Sequence, residues 1–424
     1  MTLRRWPAAA RAALVCAALA CGGSGARESD RLSAAGAGAV SAGAGGTAGG
    51  VGGAPAAGGS GAAPAAGGVG AAPAAGGGAG SAARAGSPSM PGAGGSAGSD
   101  APMDAGEPDP AERGVRIDGR RLLVDGEPFQ IQGVCWNPVD RGGVHPADLD
   151  YAGFVGKDAP LMQQAGINAV RTYSPLTDTA VLDALHSAGI YVLNAVYIYG
   201  GDDPSAVDGR VAAVKDHPAI LMWVLGNEWN YNGLYVGQSH EQSLAALNEA
   251  AARIRELDER HPIATVYGEI PAADVVEAMP LVDVWGINAY RGLSFGDLFD
   301  RFADVSDKPM FLAEYGADAY DARQDAPNLS AQADATRALT EEILARSAAR
   351  TPAGQCIGGT IFEWADEWWK DSGGSPDVQE PGGIAPGGGP HPDQTFNEEW
   401  WGVVDVDRNP RPAYDVLKQL YAAP

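Results

Sequence analysis

The chain has 424 residues and a formal net charge of −24, with 53 Asp and Glu against 29 Lys and Arg and a pI near 4.5. A field of that sign repels phosphate backbones and anionic lipid, so nucleic acid and acidic membrane surfaces are set aside as partners, and solubility is its simplest role. Cysteine is sparse, at four residues, which sets aside a disulfide-built scaffold.

In chain order, Arg4, Arg5 and Arg11 precede an apolar stretch over residues 12–20 that ends at Cys21-Gly22-Gly23. A basic start, a short apolar core and small residues predict an export signal over residues 1–21, too short to span a bilayer. Ala18-Leu19-Ala20-Cys21 resembles a bacterial lipoprotein signal, although its leucine stands two residues before the cysteine where three is usual. The resemblance implies a lipid anchor at Cys21, and simple secretion is the alternative. Residues 22–113 are dominated by Gly, Ala, Ser and Pro, with a nine-residue repeat that puts Pro55, Pro64 and Pro73 in register. Such a stretch has too little large apolar surface to offset its ordering entropy, and a disordered tether is expected, reaching roughly 50 Å. Glycine does not recur at every third position, which excludes collagen.

The folded part is expected over residues 114–424. A hairpin over 115–129, turning at Asp125-Gly126, leads into alternating strand-like and helix-like segments. The strands are expected over 131–136, 169–173, 191–197, 220–226, 263–268, 284–289, 310–314 and 360–364. They are short, apolar on both faces and rich in Val, Ile and aromatics, the signature of a covered parallel sheet. Between them, Leu244, Leu247, Ala251 and Ile254 recur at helical spacing over 239–261, and Val181, Leu182 and Leu185 mark a helix over 178–188 that stops at Gly189. Further helices are expected over 330–346 and 412–421. Eight strand–helix units close most naturally as a single (β/α)8 barrel. A doubly wound open sheet is the alternative, but no Gly-x-Gly-x-x-Gly follows the first strand. With Cys135 ending the first barrel strand and Cys356 beginning the last, the two lie more than ~15 Å apart and should be free, buried thiols.

Polar clusters fall at the strand ends: Trp136-Asn137, Arg171-Thr172-Tyr173, Asn227-Glu228-Trp229, Asn288-Ala289-Tyr290, Glu314-Tyr315 and Glu363-Trp364. In a parallel barrel those ends share one mouth, which is where chemistry is carried. Glu228 and Glu314 stand out among them. Cleaving a glycosidic bond needs one carboxylic acid to protonate the departing oxygen and one carboxylate to meet the oxocarbenium-like carbon.

Asn168-Ala-Val-Arg-Thr-Tyr, Trp223-Val-Leu-Gly-Asn-Glu, Pro309-Met-Phe-Leu-Ala-Glu-Tyr-Gly-Ala-Asp and Gly402-Val-Val-Asp with Arg411-Pro-Ala-Tyr together resemble the catalytic barrel of glycoside hydrolase family 2. Parts of the same segments are similar to fungal β-1,3-glucanosyltransferases. The likeness covers the folded part, and it implies a retaining β-glycosidase with Glu228 as acid/base on strand four and Glu314 as nucleophile on strand seven. It further implies that Asn227 binds the sugar 2-hydroxyl, Tyr290 hydrogen-bonds the nucleophile and Arg171 sits beneath Glu314. For a retaining pair the carboxyls should lie roughly 5–5.5 Å apart. Family 2 enzymes usually carry β-sandwich domains ahead of the barrel, where this chain has its tether, so no sugar-specific label is carried over.

Tryptophans at the strand ends and after strand eight fit a sugar site, because flat apolar rings stack on the C–H faces of pyranoses. Trp364, Trp136 and Trp229 are assigned there, with core packing an equal alternative for Trp229; Trp223 and Trp285, inside strands, are assigned to the core. Trp368-Trp369 and Trp400-Trp401 either join the site or pack the loop over 371–399, a candidate lid or rim. The scattered histidines show no metal-ligand spacing, Gly-x-Ser-x-Gly is absent, and Asp405-Val406-Asp407 reads as a turn. No cofactor or metal is expected. The substrate is expected to be a β-linked oligo- or polysaccharide, hydrolysed by double displacement. The alternatives are a β-glucan transglycosylase on the same site, or a non-catalytic surface lipoprotein that binds carbohydrate.

Overall fold

The computed structural model describes residues 114–370, 374–381 and 390–422. The expected export signal, the lipid anchor at Cys21 and the tether lie outside the described residues, as does part of the loop over 371–399.

Three short antiparallel strands come first: β1 (Val115–Asp118), β2 (Arg121–Val124) and β3 (Glu127–Pro128). The expected single hairpin is thus a three-stranded meander, because the chain also turns at Gly119, whose φ of +58° glycine adopts without penalty. Val115 and Leu122 pack with Ile131 in one apolar cluster, and the Phe129 ring meets the Tyr191 ring edge-on, so the meander closes the end where the barrel strands begin.

The barrel strands are β4 (Ile131–Cys135), β5 (Ala169–Arg171), β6 (Tyr191–Tyr197), β7 (Ile220–Leu225), β8 (Ile263–Gly268), β9 (Val284–Asn288) and β10 (Met310–Tyr315). After a small hairpin of β11 (Tyr320–Asp321) and β12 (Ala326–Pro327), β13 (Cys356–Ile361) completes the ring. Each strand pairs in parallel with the next, and β13 pairs with both β10 and β4 to close the barrel. The (β/α)8 expectation is met. So is that of two free, buried thiols, Cys135 and Cys356.

Local chemistry sets the helices between the strands. The helix His240–Leu257 starts on a capping box: Gln242 N–H donates to the Ser239 hydroxyl at 3.2 Å and Ser239 N–H donates back to the Gln242 side chain at 2.9 Å. Asp178 caps Thr179–Ser187, Asn328 caps Leu329–Ala345, and Pro412 occupies the first turn of Pro412–Tyr421. In β10, Met310 and Leu312 pack toward the helices while Phe311 and Ala313 fill the barrel interior. This alternation is the period of two that a covered strand requires.

Strand eight departs from expectation. It runs from Cys356 to Ile361, not over 360–364. Gly358 and Gly359 hide it, since glycine lowers strand propensity. Both are forced by close neighbours: a Cβ at Gly358 would lie 2.1 Å from the Ile131 carbonyl oxygen, and one at Gly359 would lie 2.9 Å from the Tyr315 ring.

Candidate active site

Glu314 reaches the mouth through an irregularity in β10. Its register against β9 shifts between Leu312 and Glu314, and against β13 between Leu312 and Tyr315. The shift breaks the alternation by one residue, a common device for re-aiming a side chain beside a site. Tyr315 therefore turns outward, its hydroxyl 3.1 Å from that of Thr340 on the neighbouring helix. Glu314 turns inward, into a set of donors. Its Oε1 accepts from the Arg171 guanidinium at 2.9 Å and from the Tyr173 hydroxyl at 2.6 Å, and its Oε2 accepts from the Tyr290 hydroxyl at 2.9 Å. Arg171 is fully buried and also donates to the Ala313 carbonyl and, at 2.7 Å, to Asn227 Oδ1. Burial raises the Tyr173 and Tyr290 phenols well above their ordinary range, and the Glu314 charge adds to this, so both stay protonated as donors.

Glu228 lies just past the end of β7, in the left-handed region at φ 47° and ψ 36°. A non-glycine residue there carries strain of about 1–3 kcal/mol, which its surroundings must hold. They do so by hydrogen bonds: Glu228 N–H donates to the Val266 carbonyl at 3.1 Å, while its own carbonyl accepts from Tyr231 and Asn232. The preceding Asn227 is fixed from three sides. It accepts from Arg171 and Asn288, and its Nδ2 donates to the Tyr235 hydroxyl at 2.8 Å. Burial pushes the Glu228 carboxyl up to about 8, and repulsion from Glu314 adds to the rise against smaller opposing effects of Asn288 and Arg171. The two carboxyls thus share one electrostatic neighbourhood in unlike surroundings. Glu228 and Tyr290 also line a cavity of about 360 Å³, with Tyr231, Glu269, Arg291 and Gln394 among its other walls.

Of the residues expected at a site, Arg171, Asn227, Glu228, Tyr290 and Glu314 are brought together. The three tryptophans are not placed as sugar platforms. Trp136 is fully buried and donates from Nε1 to Asp158 at 2.9 Å. Trp229 is buried, donates to the Thr265 hydroxyl at 3.1 Å and packs edge-on against Tyr267. Trp364 is 1 % exposed and packs against Tyr414 of the last helix. All three rings belong to the apolar layer between barrel and helices. Trp223 and Trp285 are core residues, as expected. Trp401 instead joins Phe362, Phe396, Tyr173 and Tyr290 in an aromatic group against the mouth.

Tyr173 was within reach of the sequence, since it stands two residues from Arg171 and so shares its face of an extended segment. Asn288 likewise stood in a strand-end cluster with Tyr290, whereas Tyr235 carried no comparable signal: it enters from the turn after β7, at φ 62°. The Asp405 turn forms as expected, its carboxylate accepting from the N–H groups of Asp407 and Asn409.

The family model described as glycosyl hydrolases family 2, TIM barrel domain, matches residues 204–335. Among curated proteins the chain is similar to β-glucuronidase of Rattus norvegicus, at 26 % identity over 279 residues, which is 60 % of this chain and 41 % of that protein. It is similar to the Homo sapiens β-glucuronidase at 25 % identity, over 54 % of this chain and 37 % of that one. The chain therefore spans well under half the length of these relatives. Among solved structures, a family 2 β-galacturonidase from Eisenbergiella tayi bound to galacturonate aligns with TM-score 0.54 and 19 % identity, over 74 % of this chain and 54 % of that one. A β-D-glucuronidase of Dictyoglomus thermophilum aligns with the same TM-score, identity and coverage. The structural likeness, at that identity, is one of fold.

Proposed function

We propose that this family 2-like (β/α)8 barrel is a retaining β-glycoside hydrolase, with Glu314 as nucleophile and Glu228 as acid/base. The observation that carries the reading is the contrast between two neighbouring carboxyls. Glu314 accepts hydrogen bonds from an arginine and two tyrosines, which fix both of its oxygens. Glu228 is held up near 8 by burial and by its neighbour, which favours the acid at neutral pH.

In the first step a Glu314 oxygen bonds to the anomeric carbon as the glycosidic C–O bond breaks, and the Glu228 proton goes to the departing oxygen. In the second step Glu228, now a carboxylate, takes a proton from water. The water oxygen bonds to the anomeric carbon and Glu314 leaves as a carboxylate. Arg171, Tyr173 and Tyr290 hold the nucleophile in place, and Asn227, fixed by Arg171 and Asn288, is positioned for the sugar 2-hydroxyl. The substrate class supported by this chemistry is a β-linked oligo- or polysaccharide. Glu314→Ala should abolish turnover of aryl β-glycosides, and added azide should restore it with the opposite product configuration. Full activity in that variant removes Glu314 from the mechanism.

Residues 114–424 form the catalytic unit in this proposal, residues 1–21 direct export, and Cys21 carries the lipid anchor of an envelope enzyme. Labelling with a radioactive fatty acid that is lost in Cys21→Ser supports the anchor, and equal labelling of both forms rejects it.

A further inference from the structure

Past the end of β13, a second group of carboxyls adjoins the catalytic pair and has no part in the mechanism above. Glu363 and Glu367 are 2 % and 4 % exposed. Lys370 Nζ lies 3.0 Å from Glu367 Oε2 and 3.4 Å from Glu398 Oε2, and 4.2 Å above the Phe362 ring. Phe362 packs edge-on against Tyr173, which donates to Glu314, and the charge on Glu398 is felt by Glu228. The group therefore borders the same mouth. We propose that this mouth takes a neutral β-linked sugar and rejects uronic acids, through a hydroxyl-binding wall formed by Asn137, Glu363, Glu367 and Glu398 around Lys370. The proposal rests on the glycosidase reading and adds the substrate class to it.

Two independent observations support it. The first is hydrogen-bonding capacity. Asn137 donates to Glu367 Oε1 at 2.9 Å, but its own Oδ1 and Glu363 Oε1 are buried acceptors with no partner. Buried acceptors call for donors. A sugar hydroxyl supplies one, whereas an ionised sugar carboxylate only accepts. The second is charge. Burial and the neighbouring Glu367 push the Glu363 carboxyl well up, which leaves the acidic groups of Glu367 and Glu398 facing the single Lys370 ammonium. Among the described residues, the arginines at the mouth are committed: Arg171 to Glu314 and Asn227, Arg291 to Glu269 and Asp297. Among the described residues of 374–399, Asp377, Glu380, Asp393 and Glu399 add further acidic groups, with no Lys or Arg. A uronate would enter a field of its own sign, and an unscreened like-charge contact of ~5 Å at an effective dielectric near 20 corresponds to a factor of about 100.

The test uses the full chain and 4-nitrophenyl β-glycosides of glucose, galactose, mannose and xylose beside the glucuronide and galacturonide. Calorimetric binding of the free neutral sugars and their uronic acids is measured in parallel. Turnover of a neutral glycoside with kcat/KM at least about 100-fold above both uronides is the expected result. A uronide cleaved or bound as well as the neutral sugars overturns the proposal, as does a protein that binds neither class. Selective binding of neutral sugar without turnover of any glycoside would uphold the wall and reject the glycosidase reading. Glu398→Lys, at the 20 % exposed rim, should narrow the gap between the classes at least about tenfold. An unchanged gap refutes the charge argument.

Discussion

Replacing Glu228 by glutamine keeps the shape of the acid/base and removes its proton. An ordinary glutamic acid near 4.5 is protonated only about 0.3 % of the time at pH 7, whereas one near 8 is protonated about nine-tenths of the time. The environment of Glu228 thus raises the population of the working acid about 300-fold, and proton donation by a positioned acid contributes a factor of about 10²–10⁴. Glu228→Gln should therefore lower kcat/KM for aryl glycosides with poor leaving groups, such as 4-methoxyphenol, by about 10³. The first step on 2,4-dinitrophenyl glycosides, whose leaving group needs no proton, should be almost unchanged. Water still lacks its base in the second step, so the glycosyl-enzyme should accumulate and stopped-flow traces should show a burst of dinitrophenolate. In the native protein the raised carboxyl is the competent acid below about 8, so kcat/KM should fall as pH rises through that value, and the fall should vanish in Glu228→Gln. An equal loss on both leaving groups, with the basic limb retained, would refute this role for Glu228.

Three further outcomes follow from the packing. Arg171→Met leaves Glu314 Oε1 without its cation and Asn227 Oδ1 without its closest donor in a fully buried site; urea unfolding should show a loss of about 3 kcal/mol or more, and unchanged stability contradicts the buried pair. Tyr290→Phe removes the donor to Glu314 Oε2 and should lower kcat/KM about tenfold or more with little change in melting temperature. Gly358→Ala puts a Cβ 2.1 Å from the Ile131 carbonyl oxygen at φ +120°, and thermal unfolding should show a loss of at least about 2 kcal/mol.

The barrel and the meeting of Glu228 and Glu314 at its mouth could be read from the sequence because both depend on short-range signals. Apolar strands ending in Asn-Glu and Glu-Tyr place carboxyls at a common mouth whatever the detail of the helices around them. Strand eight was displaced because Gly358 and Gly359 answer to Ile131 and Tyr315, neighbours distant in sequence. The tryptophans failed for a related reason. A ring at a strand end can face the mouth or the helical layer, and the choice rests on partners such as Asp158 for Trp136 and Thr265 for Trp229. Those partners lie on segments whose approach periodicity does not encode. Asn137 and Glu363 stood in strand-end clusters, but their grouping with Glu367 was hidden, since Asn137 meets Glu367 across 230 positions of chain.

The anomeric configuration of the first sugar released tests the central claim most directly. Proton NMR recorded in the opening minutes of hydrolysis of a cleaved β-glycoside, ahead of mutarotation, should show the β-anomer, because displacement by Glu314 followed by water inverts the centre twice. The α-anomer as first product would mean a single displacement by water, and Glu314 would not be the nucleophile.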